Sequence, residues 1–215
     1  MDALELREIP ELLRQIGEIM RENEAYLCAL DAEMGDGDLG LTMRKGFGAL
    51  PGIAQELMQT EKELSKLLAK TGLKLTSVVP STMGTLMGSG LMSAGKALAG
   101  KERLGGAELA LFYRGFADGI SKRGKCSVGD RTVLDAVDGA ANAAAACGSE
   151  CLTEVAEAAL QGAEAGLEAT RTMLPKFGKA AVFAQRAAGK VDQGAVVGVL
   201  ITRAISDYCK RRTVL

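Results

Sequence analysis

Apolar residues recur at helical spacing through almost the whole chain, and no stretch alternates apolar with polar side chains. Ile9, Leu12, Leu13, Ile16 and Met20 fall on one helical face, as do Leu64, Leu67, Leu68 and Leu75. The spacing returns at Leu109, Phe112, Phe116 and Ile120, then at Val197, Leu200, Ile201, Ala204, Ile205 and Tyr208. A 3.6-residue period gathers such positions into one stripe facing a core. Five Phe and three Tyr, with no Trp, leave little to cover pleated surfaces, so strand content is expected to be near zero. The periodic runs between glycine and proline breaks give about eight helices, near 6–28, 38–50, 61–79, 84–99, 106–122, 131–147, 151–173 and 193–211. Thr60-Glu-Lys-Glu63 has the spacing of a capping box opening the third. Short connections favour antiparallel neighbours, so a single all-α domain over 1–215 is expected. Small residues such as Gly162 and Gly166 permit close helix approach, read here as ordinary tight packing.

Composition narrows the function. With 47% hydrophobic and 25% charged residues the chain is globular, and a net charge of −1 gives no footprint for nucleic acid. The basic tail Lys210-Arg211-Arg212 reads as solvation. No signal-peptide pattern and no run long enough to span a bilayer is found, so a cytoplasmic protein without membrane partners is expected. Five cysteines lack the spacing of a zinc site and read as reduced apolar residues. The chain has no histidine at all. That excludes imidazole base catalysis, a serine triad and a phosphohistidine relay within this chain.

Carboxylates are concentrated instead. Asp31-Ala-Glu-Met-Gly-Asp36-Gly-Asp38-Leu-Gly40 packs three aspartates into one glycine-punctuated loop. Their mutual repulsion is relieved by a divalent cation, and hard oxygen donors suit Mg²⁺. Gly35, Gly37 and Gly40 are expected to let the backbone bend so that the three converge. A polar turn with Asp38 capping the next helix is the plainer reading, and the triple favours metal. A calcium loop starting at Asp36 would need an acid or Asn at its fifth position and Glu at its twelfth, where Gly40 and Phe47 stand.

Other segments bear on anions. Residues 174–192 form a long linker carrying Lys176, Lys179, Arg186 and Lys190 with no acid until Asp192, and a linker of that length in a helical domain is usually functional. Gly90-Leu-Met-Ser-Ala-Gly95-Lys96 and Gly119-Ile-Ser-Lys-Arg-Gly124-Lys125 mimic a P-loop. Both lack the following Ser or Thr and a preceding strand, and both are rejected. Pro80-Ser-Thr-Met-Gly-Thr85 sets hydroxyls and glycine just before a helix, a place suited to phosphate. Gly124-Lys-Cys-Ser-Val-Gly129-Asp130-Arg131-Thr132 is a similar turn, with Asp130 expected as N-cap and Asp135 further inside the helix.

In this order, LDAEMGDGDLG at 30–40, PSTMGTLMG at 80–88, RGKCSVGDRTVLDA at 123–136, the basic loop and GKVDQGA at 189–195 resemble the nucleotide-binding (L) subunit of dihydroxyacetone kinases, over essentially the whole chain. The resemblance implies a closed up-and-down barrel of eight antiparallel helices with ADP or ATP at one end. It implies two Mg²⁺ ions held by Asp31, Asp36 and Asp38, with Lys179 joining them in the catalytic set. By position, nucleotide contacts would fall at Leu39, Gly40, Leu41, Thr42, Thr82, Met83, Gly124, Val133, Lys179, Val191, Asp192 and Gln193. It further implies a small ketose held covalently by a histidine of a separate K subunit, which fits a chain with no histidine. The phosphoryl donor would be ATP or an M-type phosphohistidine protein of the phosphotransferase system. The chain departs from phosphotransferase-fed members at Leu39, where they carry His, and has Lys179 where the family usually has Arg. A kinase subunit for another small sugar or polyol, and a nucleotide-bound regulatory adaptor, are the alternatives.

Overall fold

The structure, a computed structural model, describes residues 3–214 and is helical almost throughout. Nine α-helices are described: α1 (Ile9–Glu22), α2 (Glu24–Ala32), α3 (Leu39–Leu57), α4 (Leu64–Val78), α5 (Thr82–Ala97), α6 (Gly106–Gly124), α7 (Val133–Cys147), α8 (Leu152–Ala169) and α9 (Gln193–Val214). Among the described residues the only β pairing is the isolated bridge between Leu4 and Leu104.

The first expected helix is split in two. Asn23 turns its side chain back, its Nδ2 donating to the Ile19 carbonyl at 2.8 Å, and leaves helical backbone at φ −101°. Asn competes in this way with the helix's own ladder. At Pro51 the opposite happens: the second expected helix was to end at 50, yet α3 runs on to Leu57. Interior proline costs roughly 3 kcal/mol, and burial beyond it outweighs that, with Ala54 fully enclosed and Ile53 and Leu57 packed on the core. The expected capping box at Thr60 does not form. α4 starts at Leu64 with no side-chain cap: the Thr60 hydroxyl donates back to the Leu57 carbonyl at 3.3 Å, and Glu63 binds Lys66 at 2.5 Å.

Neighbouring helices close a ring. α1 packs on α3, and α3 to α9 each pack on the next in chain order, until α9 returns to α1. The short α2 lies against α3 and α9, sharing the place of α1. The inner stripes make one continuous core from Leu4 to Cys209. Inside is a cavity of about 40 Å³ lined only by apolar side chains, among them Ile16, Phe47, Leu75, Met87, Phe116 and Ile205. Its lining is wholly apolar, so it offers no donor to a phosphate. Polar chemistry is therefore left to the barrel ends.

Candidate metal and nucleotide site

Alternation of direction around the ring puts the N-termini of α3, α5, α7 and α9 at one end. Their contacts show it directly. Gln193, first residue of α9, reaches Asp31 just before α3, with Nε2 3.4 Å from Oδ1. A Cβ at Gly194 would lie 2.9 Å from Asp192 Oδ2, 3.1 Å from the Met83 methyl and 3.2 Å from the Val133 amide. So Met83 of α5, Val133 of α7 and Asp192 before α9 meet at one glycine. Gly124 closes α6 beside them, its missing Cβ facing Leu86 of α5 at 3.1 Å. Each helix N-terminus carries unpaired amides and a partial positive charge, so four at one end favour an anion.

The acid loop joins α2 to α3 at this end. Asp31, Asp36 and Asp38 each bring a carboxylate oxygen within 4.8 Å of the others. Asp31 is buried and organises the loop: its Oδ2 accepts from the Gly37 amide at 2.9 Å and the Asp38 amide at 3.2 Å. Asp36 and Asp38 stand exposed. Asp38 precedes α3 but makes no side-chain cap, which leaves its carboxylate free for other work. Of the three glycines expected to bend the loop, Gly37 alone has a left-handed backbone, at φ +77°. Gly35 and Gly40 serve close approach instead. A Cβ on Gly35 would sit 2.3 Å from Asp31 Oδ1, and one on Gly40 would strike the Glu24 carbonyl. Three converging carboxylates, one anchored and two turned outward, are a donor set that fits Mg²⁺.

Residues 174–192 fold over this loop and are not the plain linker expected. They contain 3₁₀ turns from Lys179 to Ala187. Ala180 and Ala187 bury Met34 of the acid loop in a small separate core. Lys179 Nζ donates to Asp36 Oδ2 at 2.5 Å, and Lys190 pairs with Glu33. The Lys179 hydrogen bond holds the Asp36 carboxyl below its ordinary range, and the same bond raises the Lys179 ammonium. Lys176 Nζ reaches Asp130 Oδ1 at 2.6 Å and lowers that carboxyl too.

Asp130 is not the N-cap expected of it. Thr132 caps α7, its Oγ1 accepting from the Leu134 amide at 3.2 Å, while Asp135 accepts from the Thr132 amide at 2.7 Å. The helix cannot begin earlier because Arg131 is in left-handed conformation at φ +59°. Ser81 caps α5 by accepting from the Gly84 amide at 3.0 Å. This places Thr82 and Met83 in the first turn, as the hydroxyl-rich spacing suggested. At α3, Leu41 is exposed and Thr42 half-buried. Leu39 is buried in the barrel core, so it offers the site its backbone and not its side chain. Val191, half-buried, and Asp192, buried, end the folded-over segment. Burial pushes the Asp192 carboxyl up to about 6, against the Ala195 amide and the nearby Arg131.

Sequence reasoning missed Arg131, Thr170 and Met34. Arg131 had one signal: a cation beside the positive end of a helix is unfavourable, so it must answer something else.

An α-helical barrel with acids, lysines and helix N-termini gathered at one mouth has the architecture of a domain for phosphate and hard cations. The chain belongs to the DAK2 domain family, which matches residues 33–207. It is 32% identical over 199 residues to an Escherichia coli protein named PEP-dependent dihydroxyacetone kinase, ADP-binding subunit DhaL, covering 90% of this chain and 92% of that one. It is 29% identical over 192 residues to the L-erythrulose kinase of Pectobacterium atrosepticum, covering 88% of this chain and 32% of that one. In fold it resembles the crystal structure of the dihydroxyacetone kinase from C. freundii in complex with AMP-PNP and Mg²⁺, with a TM-score of 0.72 and 24% identity. The match covers 93% of this chain, and the chain spans about a third of that structure, 33%.

Proposed function

We propose that this chain is the nucleotide-carrying subunit of a dihydroxyacetone-type kinase, working on a small ketose bound to a separate K-type subunit. The observation that carries the reading is the meeting of three carboxylates, Lys179 and four helix N-termini at one barrel mouth, in a chain without histidine. Asp31, Asp36 and Asp38 would hold two Mg²⁺ ions, which when bound neutralise phosphate charge and orient the transferring group. The first-turn amides of α3, α5, α7 and α9 that the caps leave open would receive the phosphates. Lys179, the exposed cation nearest the acids, adds charge stabilisation from the folded-over segment. Leu39 to Thr42, Thr82, Met83, Gly124, Val133 and Val191 to Gln193 line the nucleotide's seat. Proton removal from the ketose hydroxyl is assigned to the partner, since this chain offers no imidazole and its clustered carboxylates would be engaged with the metal.

Isothermal titration with ADP tests the metal requirement. Binding is expected with Mg²⁺ and not in EDTA, and equal affinity in both would reject the metal-bridged seat. The purified chain alone is expected not to phosphorylate dihydroxyacetone, with turnover appearing when a K-type subunit is added. Robust activity from the chain alone would refute the split enzyme and support self-sufficient chemistry.

Two donors fit. Relatives named PEP-dependent favour a phosphohistidine donor, whereas Leu39 and Lys179, each replacing the family's more usual residue, favour free ATP. A chase of bound labelled ADP with excess ATP separates them. Retention selects the phosphohistidine protein and release selects ATP.

A further inference from the structure

Arg131 heads the largest side chains enclosed by the protein, with its side chain wholly removed from water. A guanidinium stays charged in such a place, so what it binds is informative. Its Nε donates to the Thr170 carbonyl at 3.2 Å, and its Nη2 donates to the carbonyls of Lys190 at 3.1 Å and Val191 at 3.2 Å. Thr170 stands just before the segment that folds over the acid loop, and Lys190 and Val191 stand at its end. One planar fork therefore ties both ends of that segment together. Around it, the Asp192 amide donates to Thr170 Oγ1 at 2.9 Å, and Arg171 and Gly189 exchange two bonds. Nη1 has no hydrogen-bond partner among the described residues and lies 3.8 Å from Asp192 Oδ1.

The position of Arg131 in the chain adds a second constraint. It sits two residues before α7, in a left-handed backbone that is unfavourable for a residue other than glycine and so needs compensation. Held there, it fixes the α7 N-terminus to the base of the segment whose far part places Lys179 on Asp36. A bare ion pair would hold only charge. Three carbonyls from two chain segments, accepting from a rigid fork, hold distance and direction.

We infer that Arg131 is a positioning residue, a buried clamp that closes the base of residues 173–192 so that Lys179 and Gln193 stand over the acid loop. The inference rests on the proposed nucleotide seat for its consequence, and on the contacts of Arg131 alone for the clamp. Arg131→Lys keeps the charge and loses the fork. It is expected to speed amide exchange at Gly189 and Asp192 by at least about tenfold relative to amides in the α4 interior, and to weaken Mg·ADP binding by about tenfold.

A merely structural role is separated by a double-mutant cycle with Lys179→Gln. If Arg131 acts through Lys179, the loss on Arg131→Lys shrinks when Lys179 is already gone. Where Arg131→Lys fails to fold, Thr170→Val, which removes the hydroxyl accepting from Asp192, tests the same base through Mg·ADP affinity and exchange at Gly189, whose bond to Arg171 it leaves in place. Additive losses in the cycle, or unchanged exchange at Gly189 and Asp192, would overturn the clamp. Absence of Mg·ADP binding in the unmodified chain would instead reject the nucleotide seat, and the exchange measurement would still decide the clamp.

Discussion

Asp36→Asn is expected to lower Mg²⁺-dependent ADP affinity by about a hundredfold or more while leaving the helical circular dichroism signal and melting temperature nearly unchanged. Even groups one layer behind a metal ligand are worth roughly ten- to a hundredfold in metal affinity, and a direct anionic ligand should exceed that. The three acids are not interchangeable for the test. Asp31 is buried and accepts two loop amides, so its amide variant would lose loop shape together with charge. Asp36 is exposed, and its ion pair with Lys179 is exposed too. Pairs of that kind contribute little to stability. Titration calorimetry of Mg·ADP, beside a thermal melt, checks both halves. Near-normal affinity in Asp36→Asn would remove the carboxylate triple from the nucleotide seat.

The helices and the acid loop were legible in the sequence for a common reason, since each is written in local order, whereas the closure of the helices into a barrel came only from the family resemblance. A stripe of leucines needs only its own spacing, and three aspartates in eight residues repel whatever surrounds them. Boundaries failed where a distant contact decided. α3 passes Pro51 because Ala54 has a core to enter, and that extension carries the chain to Thr60, whose hydroxyl turns back to the Leu57 carbonyl instead of capping α4. The resemblance implied nucleotide contact at Leu39; its side chain belongs to the inner stripe, which leaves its backbone for that contact, and position in a motif does not tell which face of a helix turn a side chain takes. The basic segment was visible as charge alone. Its anchoring by Met34, Ala180 and Ala187 joins residues about two thirds of the chain's length apart, and no local pattern carries that.

Gly162→Ala should destabilise the barrel although alanine is the better helix former. In an exposed helix the exchange gains roughly 0.8–1 kcal/mol. Here α7 and α8 cross backbone to backbone. A Cβ on Gly162 would lie 2.2 Å from the Gly139 carbonyl and 2.5 Å from the Ala143 Cβ, and one on Gly139 would lie 2.3 Å from the Gly162 carbonyl. One turn along, a Cβ on Gly166 would meet the Asp135 carbonyl at 2.2 Å. Backbone cannot step aside as a side-chain tip can, so the two helices must separate, and overpacking of this sort costs about 1–3 kcal/mol or more. For a domain of this size that is a fall of roughly 2–12 °C in melting temperature. Gly52→Ala, on the open side of α3 with nothing within 4 Å of the added carbon, supplies the control and should raise it. The effect should also reach the site, because α7 opens at the turn that carries Arg131 and α8 ends beside Thr170. Mg·ADP affinity is therefore expected to weaken in Gly162→Ala and to hold in Gly52→Ala. Equal stabilisation of both variants would mean that α7 and α8 do not approach this closely.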